Sequence, residues 1–255
     1  MWQHADVLRA LAAKDFKTRY KRASFGMLWA VVLPLLQSFV LAFVFSRVGK
    51  FGREIGDVGF ASYVLSGMVA YAYFSGSLLS AATSVVDGSG LAEKVWFPRA
   101  VLVLVPILSN LVGFGVSAGL ALALAPALGG HLSATTLLIV PGVALLVGFT
   151  SAIGLVLSAL YVYFRDVKFI VQAAMLVWLY ATPVIYDPAS LLGQSAGWLD
   201  LNPLTGIVGL FHAAVGVEGV ALLRPVLVSL GYTVVLGVAG VDAHRRHDRL
   251  FVDQL

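Results

Sequence analysis

The residues able to do chemistry in this chain stand at the ends of long apolar runs rather than inside them. Asp87–Arg99 (DGSGLAEKVWFPR) carries Asp87, Glu93, Lys94 and Arg99 between two runs free of Asp, Glu, Lys and Arg. Those runs are Val58–Val86, 29 residues, and Ala100–Phe164, 65 residues. Lys14–Arg22 sets five positive charges beside one negative, and Arg165, Asp166 and Lys168 make a further polar link. These groups do not add up to an engine. No GxxxxGK[ST] phosphate loop occurs, so no nucleotide binds by that route. Ion-coupled pumps place Asp, Glu, His or Arg inside their spans, and no charged residue falls in the middle of a run here. Uncharged polar groups suffice for sodium, which keeps a secondary transporter in view. No His–carboxylate cluster suggests a metal site, and His244 with His247 reads as part of a basic tail. A membrane glycosyltransferase needs an acid, base or nucleophile at membrane depth, and none stands out. A passive channel or a permease powered from outside remains.

Helices in a bilayer must position these links. A hydrocarbon core is crossed by about 20 apolar residues of helix, so both runs beside Asp87–Arg99 belong in membrane. Hydrophobic residues make up 60% of the chain and charged residues 12%, against about 25% charged in an ordinary soluble domain. Lipid cannot satisfy free backbone groups, so the crossing elements are helices. The predicted fold is an all-α polytopic membrane protein, one permease domain over residues 1–255. The absence of cysteine excludes disulfides and thiolate metal sites.

Residues 1–22 predict a helix lying on the cytoplasmic face. Val7, Leu8, Leu11, Ala12 and Phe16 recur at helical spacing against Arg9, Lys14 and Lys17. The segment has too many charges, and too long an apolar run after it, for a secretory signal. Residues 23–86 hold spans one and two, Ala23–Ser46 with a kink at Pro34 and Val58–Ser84. Residues 87–99 link them to span three. Leu91–Phe97 has the length and mix of a short amphipathic helix in the interface, closed by Pro98, with Trp96 and Phe97 at headgroup depth. The plainer reading is a loop with an aromatic anchor. Residues 100–186 hold spans three to five, since 65 residues make about 97 Å of helix, enough for two crossings with a turn at Pro126–Ser133. Span five is expected at Phe169–Tyr186.

Residues 187–220 decide the topology. Leu201–Val217 is apolar but short, and Asn202-Pro203, Gly206 and Gly209 weaken it as a span. As an external re-entrant hairpin it leaves six crossings, with span six at 221–241 and a tail at 242–255. The N-terminal, Lys94/Arg99, Arg165/Lys168 and tail clusters then share one face, with 13 of the 17 Lys and Arg. The positive-inside rule therefore selects six, both termini cytoplasmic. Arg47, Lys50 and Arg53 run against it, with no account beyond an anionic ligand outside.

RYKRASFGMLWAVVLPLLQSFVLAFVFS at Arg19–Ser46 resembles the opening of the type-2 ABC exporter permeases for polysaccharides. These move O-antigen, capsule, teichoic acid and related lipid-linked glycans. The likeness continues through YVLSG at Tyr63–Gly67, GLAEKVWFPR at Gly90–Arg99, LSN at Leu108–Asn110, YFRDV at Tyr163–Val167, TPVIY at Thr182–Tyr186 and LNPLT at Leu201–Thr205. It runs in one order over nearly the whole chain.

The resemblance implies a half-transporter in the bacterial cytoplasmic membrane: two copies of this chain with two separate ATPase subunits. The chain itself would be no enzyme and carry no cofactor, ATP and Mg being held by the partner. By the same likeness Glu93, Lys94, Trp96, Phe97 and Arg99 form the coupling helix on the ATPase, and Arg165 and Asp166 a second contact. Asp15, Lys17, Arg19 and Tyr20 look like the cytoplasmic gate. From their place where the N-terminal helix meets span one, Arg19 is expected to capture a phosphate headgroup while Lys17, Lys21 and Arg22 hold the leaflet; the rival reading gives all four to membrane orientation. Residues 187–218 look like the external re-entrant pair that closes the channel.

On span two, Gly76, Ser80 and Ser84 fall at i, i+4 and i+8, and Tyr71 and Phe74 share another face. Small residues at that spacing usually mark close helix packing. The functional alternative is a smooth channel wall with Tyr71, Tyr73 and Phe74 turned toward passing sugars. The expectation is a permease subunit for export of a lipid-linked polysaccharide. Export of a smaller glycolipid or drug fits the same fold, and an ATPase-independent channel or secondary transporter is the rival from another class. No nucleic-acid partner is expected.

Overall fold

The computed structural model describes residues 5–20, 26, 28–47, 54–55, 58–92, 97–188 and 193–247. They form a bundle that is mostly helical. Its helices are α1 (Ala5–Tyr20), α2 (Leu28–Arg47), α3 (Phe60–Asp87), the single turn α4 (Ser89–Ala92), α5 (Ala100–Leu124), α6 (Ile139–Tyr163), α7 (Val167–Ala181), α8 (Pro203–Ala214) and α9 (Leu223–His247). A two-residue pair, β1 (Glu54–Ile55) and β2 (Val58–Gly59), precedes α3.

The charge-free run before Asp87 makes α3 the centre. A helix that is apolar all round is buried all round, and Phe74, Leu78 and Ala81 have no exposure at all. α5 and α6 pack on it, joined by the Pro126–Leu128 and Ala134–Leu138 turns. The Gly59 N–H donates to the Gly129 carbonyl at 2.9 Å, which places the start of α3 against the α5–α6 turn. The opposite end brings Leu102 of α5 against Gly88, and α1 against Phe97, Val101 and Leu102 through Leu8 and Leu11. α9 runs beside α6 in the same direction, with Gly237 against Ala152 and His244 against Ser158. α1 and the far end of α9 therefore lie at one end of the bundle.

Among the described residues, four helical segments are long and apolar enough to cross a membrane: Phe60–Asp87, Ala100–Leu124, Ala134–Tyr163 and Leu223–Arg246. Val32–Val44, Val167–Ala181 and Pro203–Ala214 are shorter apolar helices. Phe39, Val177 and Val235 stand about two-thirds exposed (67%, 70% and 66%). An outer surface of that kind belongs in lipid or against another chain.

α8 is too short to cross, at about 18 Å, and nearly every residue of it is buried. Asn202 begins it. Its Oδ1 accepts from Leu204 N and from Trp178 Nε1, both at 3.0 Å, while Nδ2 donates to the Ala181 carbonyl and Thr182 Oγ1. Pro203 at the first helical position needs no donor partner. At the other end the Val215 carbonyl accepts from His131 N at 2.9 Å, and His212 stacks on Tyr63 with ring centroids 3.7 Å apart.

Three expectations need correction. Span five was placed at Phe169–Tyr186, but α7 ends at Ala181: Thr182 precedes Pro183 and takes an extended conformation (ψ 138°), as residues before proline do. The last helix does not stop at 241 but continues to His247. His244 is accordingly no solvated tail residue; it is 4% exposed, at the α6–α9 contact. In the interfacial link, α4 covers Ser89–Ala92, and residues 93–96 lie outside the described set.

Candidate functional site

Pro34 stands inside α2, where it removes one i→i−4 hydrogen bond. Beside it, α2, α3, α5 and α7 surround a cavity of about 750 Å³. Its rings are Trp29, Tyr71, Tyr73 and Phe114, and its polar groups are few, chiefly Gln37, Ser75, Asn110 and Ser117. Tyr71 donates its hydroxyl proton to the Met175 carbonyl of α7, and Tyr73 donates to the Ile107 carbonyl of α5 at 3.0 Å. Both hydroxyls are committed to main chain, so the rings offer the cavity apolar surface. Asn110 Nδ2 donates to Ser77 Oγ at 3.1 Å. A cavity of this lining suits an aliphatic chain or the C–H faces of sugar rings, with amides placed to bond hydroxyls.

The five channel candidates separate. Tyr71, Tyr73 and Gly76 line the cavity, and space is open within 4 Å of where a Gly76 Cβ would stand. Phe74 does not line it; it is fully buried between Phe149, centroid 5.7 Å away, and the edge of Trp178 at 5.5 Å. Ser80 Oγ donates to the Gly76 carbonyl at 3.0 Å, off the cavity wall. Sequence reasoning missed Trp29, Gln37 and Asn110 as lining groups. The signal was there for two of them. Gln37 and Asn110 are each the single amide in a helix that is mostly apolar.

The expected coupling residues also divide. Glu93, Lys94 and Trp96 lie outside the described residues. Phe97 is 5% exposed and turned into the α1–α5 contact. Arg99 sits at the start of α5, 8% exposed, and among the described residues nothing hydrogen-bonds its Nη1. Arg165 and Asp166 are exposed between α6 and α7. The Arg165 guanidinium lies 5.4 Å from the Tyr161 ring centroid, close enough for cation–π attraction.

On α1 the half-buried residues are Val7, Leu8, Leu11, Ala12, Asp15 and Phe16, while Arg9, Lys14 and Lys17 are exposed. The helical spacing seen in the sequence therefore marks a real face. Arg19 and Tyr20 end the helix, with side chains outside the description, as are Lys21, Arg22, Lys50 and Arg53 altogether.

The sequence profile of the "ABC-2 type transporter" family matches residues 6–215. A curated relative from Myxococcus xanthus, "O-antigen export system permease protein RfbA", is 30% identical over 84% of this chain and 81% of its own length. A protein of the same name from Klebsiella pneumoniae is 26% identical over 80% of this chain and 77% of its own length.

Proposed function

The chain belongs to the ABC-2 type transporter family, and from that premise we propose that it is the permease through which an ATP-driven exporter moves a lipid-linked polysaccharide out across the cytoplasmic membrane. As a permease of this family it is a transport subunit and not an enzyme. In this reading two copies of the chain associate with two ATPase subunits, which hold the ATP and Mg. α1 and the far end of α9 face the cytoplasm, and α8 with its flanking segments closes the outer side. Glu93, Lys94, Trp96, Arg99, Arg165 and Asp166 meet the ATPase. Asp15, Lys17, Arg19, Tyr20, Lys21 and Arg22 guard the entrance.

The observation that carries the reading is the cavity between α2, α3, α5 and α7. Its rings, aliphatic side chains and few amides fit the lipid chain or the C–H faces of the sugars of such a substrate better than an ion or a nucleotide. The relatives' names supply the polysaccharide class. The experiment is deletion of the chain in its host, with purification of the tagged protein in parallel. Undecorated lipid-linked glycan accumulates inside the deleted strain, and an ATPase co-purifies with the tagged chain. A deleted strain that still displays its glycan, and a chain that purifies without any ATPase, would overturn the proposal.

A further inference from the structure

His244 has no place in that account, yet it is buried and hydrogen-bonded to a neighbouring helix. It is 4% exposed and its partner Ser158 is fully buried. His244 Nε2 lies 3.1 Å from Ser158 Oγ and 3.1 Å from the Leu155 carbonyl, to which Ser158 Oγ donates at 3.0 Å. A carbonyl only accepts, so the three-way contact requires the proton on Nε2. One turn earlier Gly240 brings α9 close; a Cβ there would fall 2.6 Å from that of Leu155. On the outside of the same turn, Arg246 pairs with Asp242 at 2.8 Å.

Burying an imidazole costs free energy unless it is hydrogen-bonded. An apolar side chain would pack the α6–α9 contact at lower cost, but it would fix no register. What the bonded imidazole holds in place is specific. Three residues beyond Ser158, Tyr161 carries the Arg165 guanidinium, and Asp166 stands where α7 begins. That link lies about 12 Å along the helix from Ser158. At the other end of α9, Ser229 Oγ donates to the Pro203 carbonyl at 2.6 Å, tying α9 to α8. α9 is thus hydrogen-bonded both to α6, which leads into the Arg165 link, and to the helix proposed to close the outer side.

We propose that His244 is a positioning residue for transport: through Ser158 and the Leu155 carbonyl it makes the α6–α7 link and α9 move as one body. The proposal rests on the exporter reading for its functional half only. The test uses the full chain in lipid nanodiscs with its ATPase. Because the chain has no cysteine, spin labels go on Lys168→Cys and Arg245→Cys, both exposed positions. Their distance distribution is read without nucleotide or substrate, and glycan exported per ATP hydrolysed is read separately.

His244→Leu and Ser158→Ala should each broaden the distance distribution and lower export per ATP about fivefold, the scale of one lost hydrogen bond. ATP hydrolysis should persist. His244→Gln, which keeps an N–H at similar reach, should restore most of both. The double variant should be no worse than His244→Leu alone. An unchanged distribution in the folded variants overturns the clamp. A loss of protein or thermal stability with export per ATP unchanged overturns the positioning role. If His244→Leu fails to insert, Ser158→Ala decides between these outcomes. A wild-type chain without ATP-dependent export overturns the exporter reading instead, and the distances still judge the clamp.

Discussion

At the scale of the residue, Asn202 shows how much one side chain can hold. It spends both amide atoms, accepting from Leu204 and Trp178 and donating to Ala181 and Thr182. The sequence marked Asn202-Pro203 as a weak point in a span. That was legible, because Asn followed by Pro starts a helix. The bonds back to α7 were not, since nothing local distinguishes an Asn that caps only its own helix from one that also ties down another. Asn202→Ala removes the cap and leaves buried donors and acceptors unpaired. It should destabilise the purified protein by about 2–4 kcal/mol, measured as unfolding in detergent. Trp178→Phe removes one bond and keeps the ring edge against Phe74, and should cost about 1 kcal/mol. Equal effects would show that the amide serves Trp178 alone.

At the scale of the element, the link after α3 was read as a single surface with Trp96 and Phe97 acting together. The structure separates Phe97 from it, packing the ring with Val101 and Leu102 under Leu8 and Leu11 of α1. Phe97 turns inward because α1 lies over the start of α5. Sequence spacing contains no such information. Phe97→Ala should therefore act on the fold, costing about 3 kcal/mol of stability and loosening α1. Glu93→Lys with Trp96→Ala should leave thermal stability in place while export and stimulated ATP hydrolysis fall together, the loss expected when an interface anchor is truncated. Wild-type export by that double variant would reduce Glu93 and Trp96 to loop residues.

At the scale of the whole molecule, the question is how often the chain crosses. α1 and the end of α9 share one end of the bundle with residues 88–92 and 97–99 and with the link at 164–166, and α8 is buried at the other. Six crossings follow if α2 and α7 both span and α8 does not. A cysteine at Gln194 and another at Glu218 should both react with an impermeant thiol reagent added outside. Gly216 is the wrong place to test this. Its φ of +96° and the His131 carbonyl 2.7 Å from a Cβ there would strain any side chain. Reaction of the Glu218 site only from the cytoplasmic side would sink the six-crossing topology.

Composition alone determined that this chain is a membrane protein of helices, because 60% hydrophobic and 12% charged residues leave no other place for the apolar runs. The dispersed motifs, from Arg19–Ser46 to Leu201–Thr205, determined the family, since many short matches in one order seldom recur by chance. The tertiary structure decided which side chains share a space. Tyr73 meets the cavity and Phe74 the core, though they are neighbours on one helix, because successive helical residues stand about 100° apart and only the packing of α2, α5, α6 and α7 says which direction is which. It also moved His244 from a basic tail to the α6–α9 contact. A histidine near a chain end carries no local mark of burial; the mark is Ser158, 86 residues away, and only folding brings the two together.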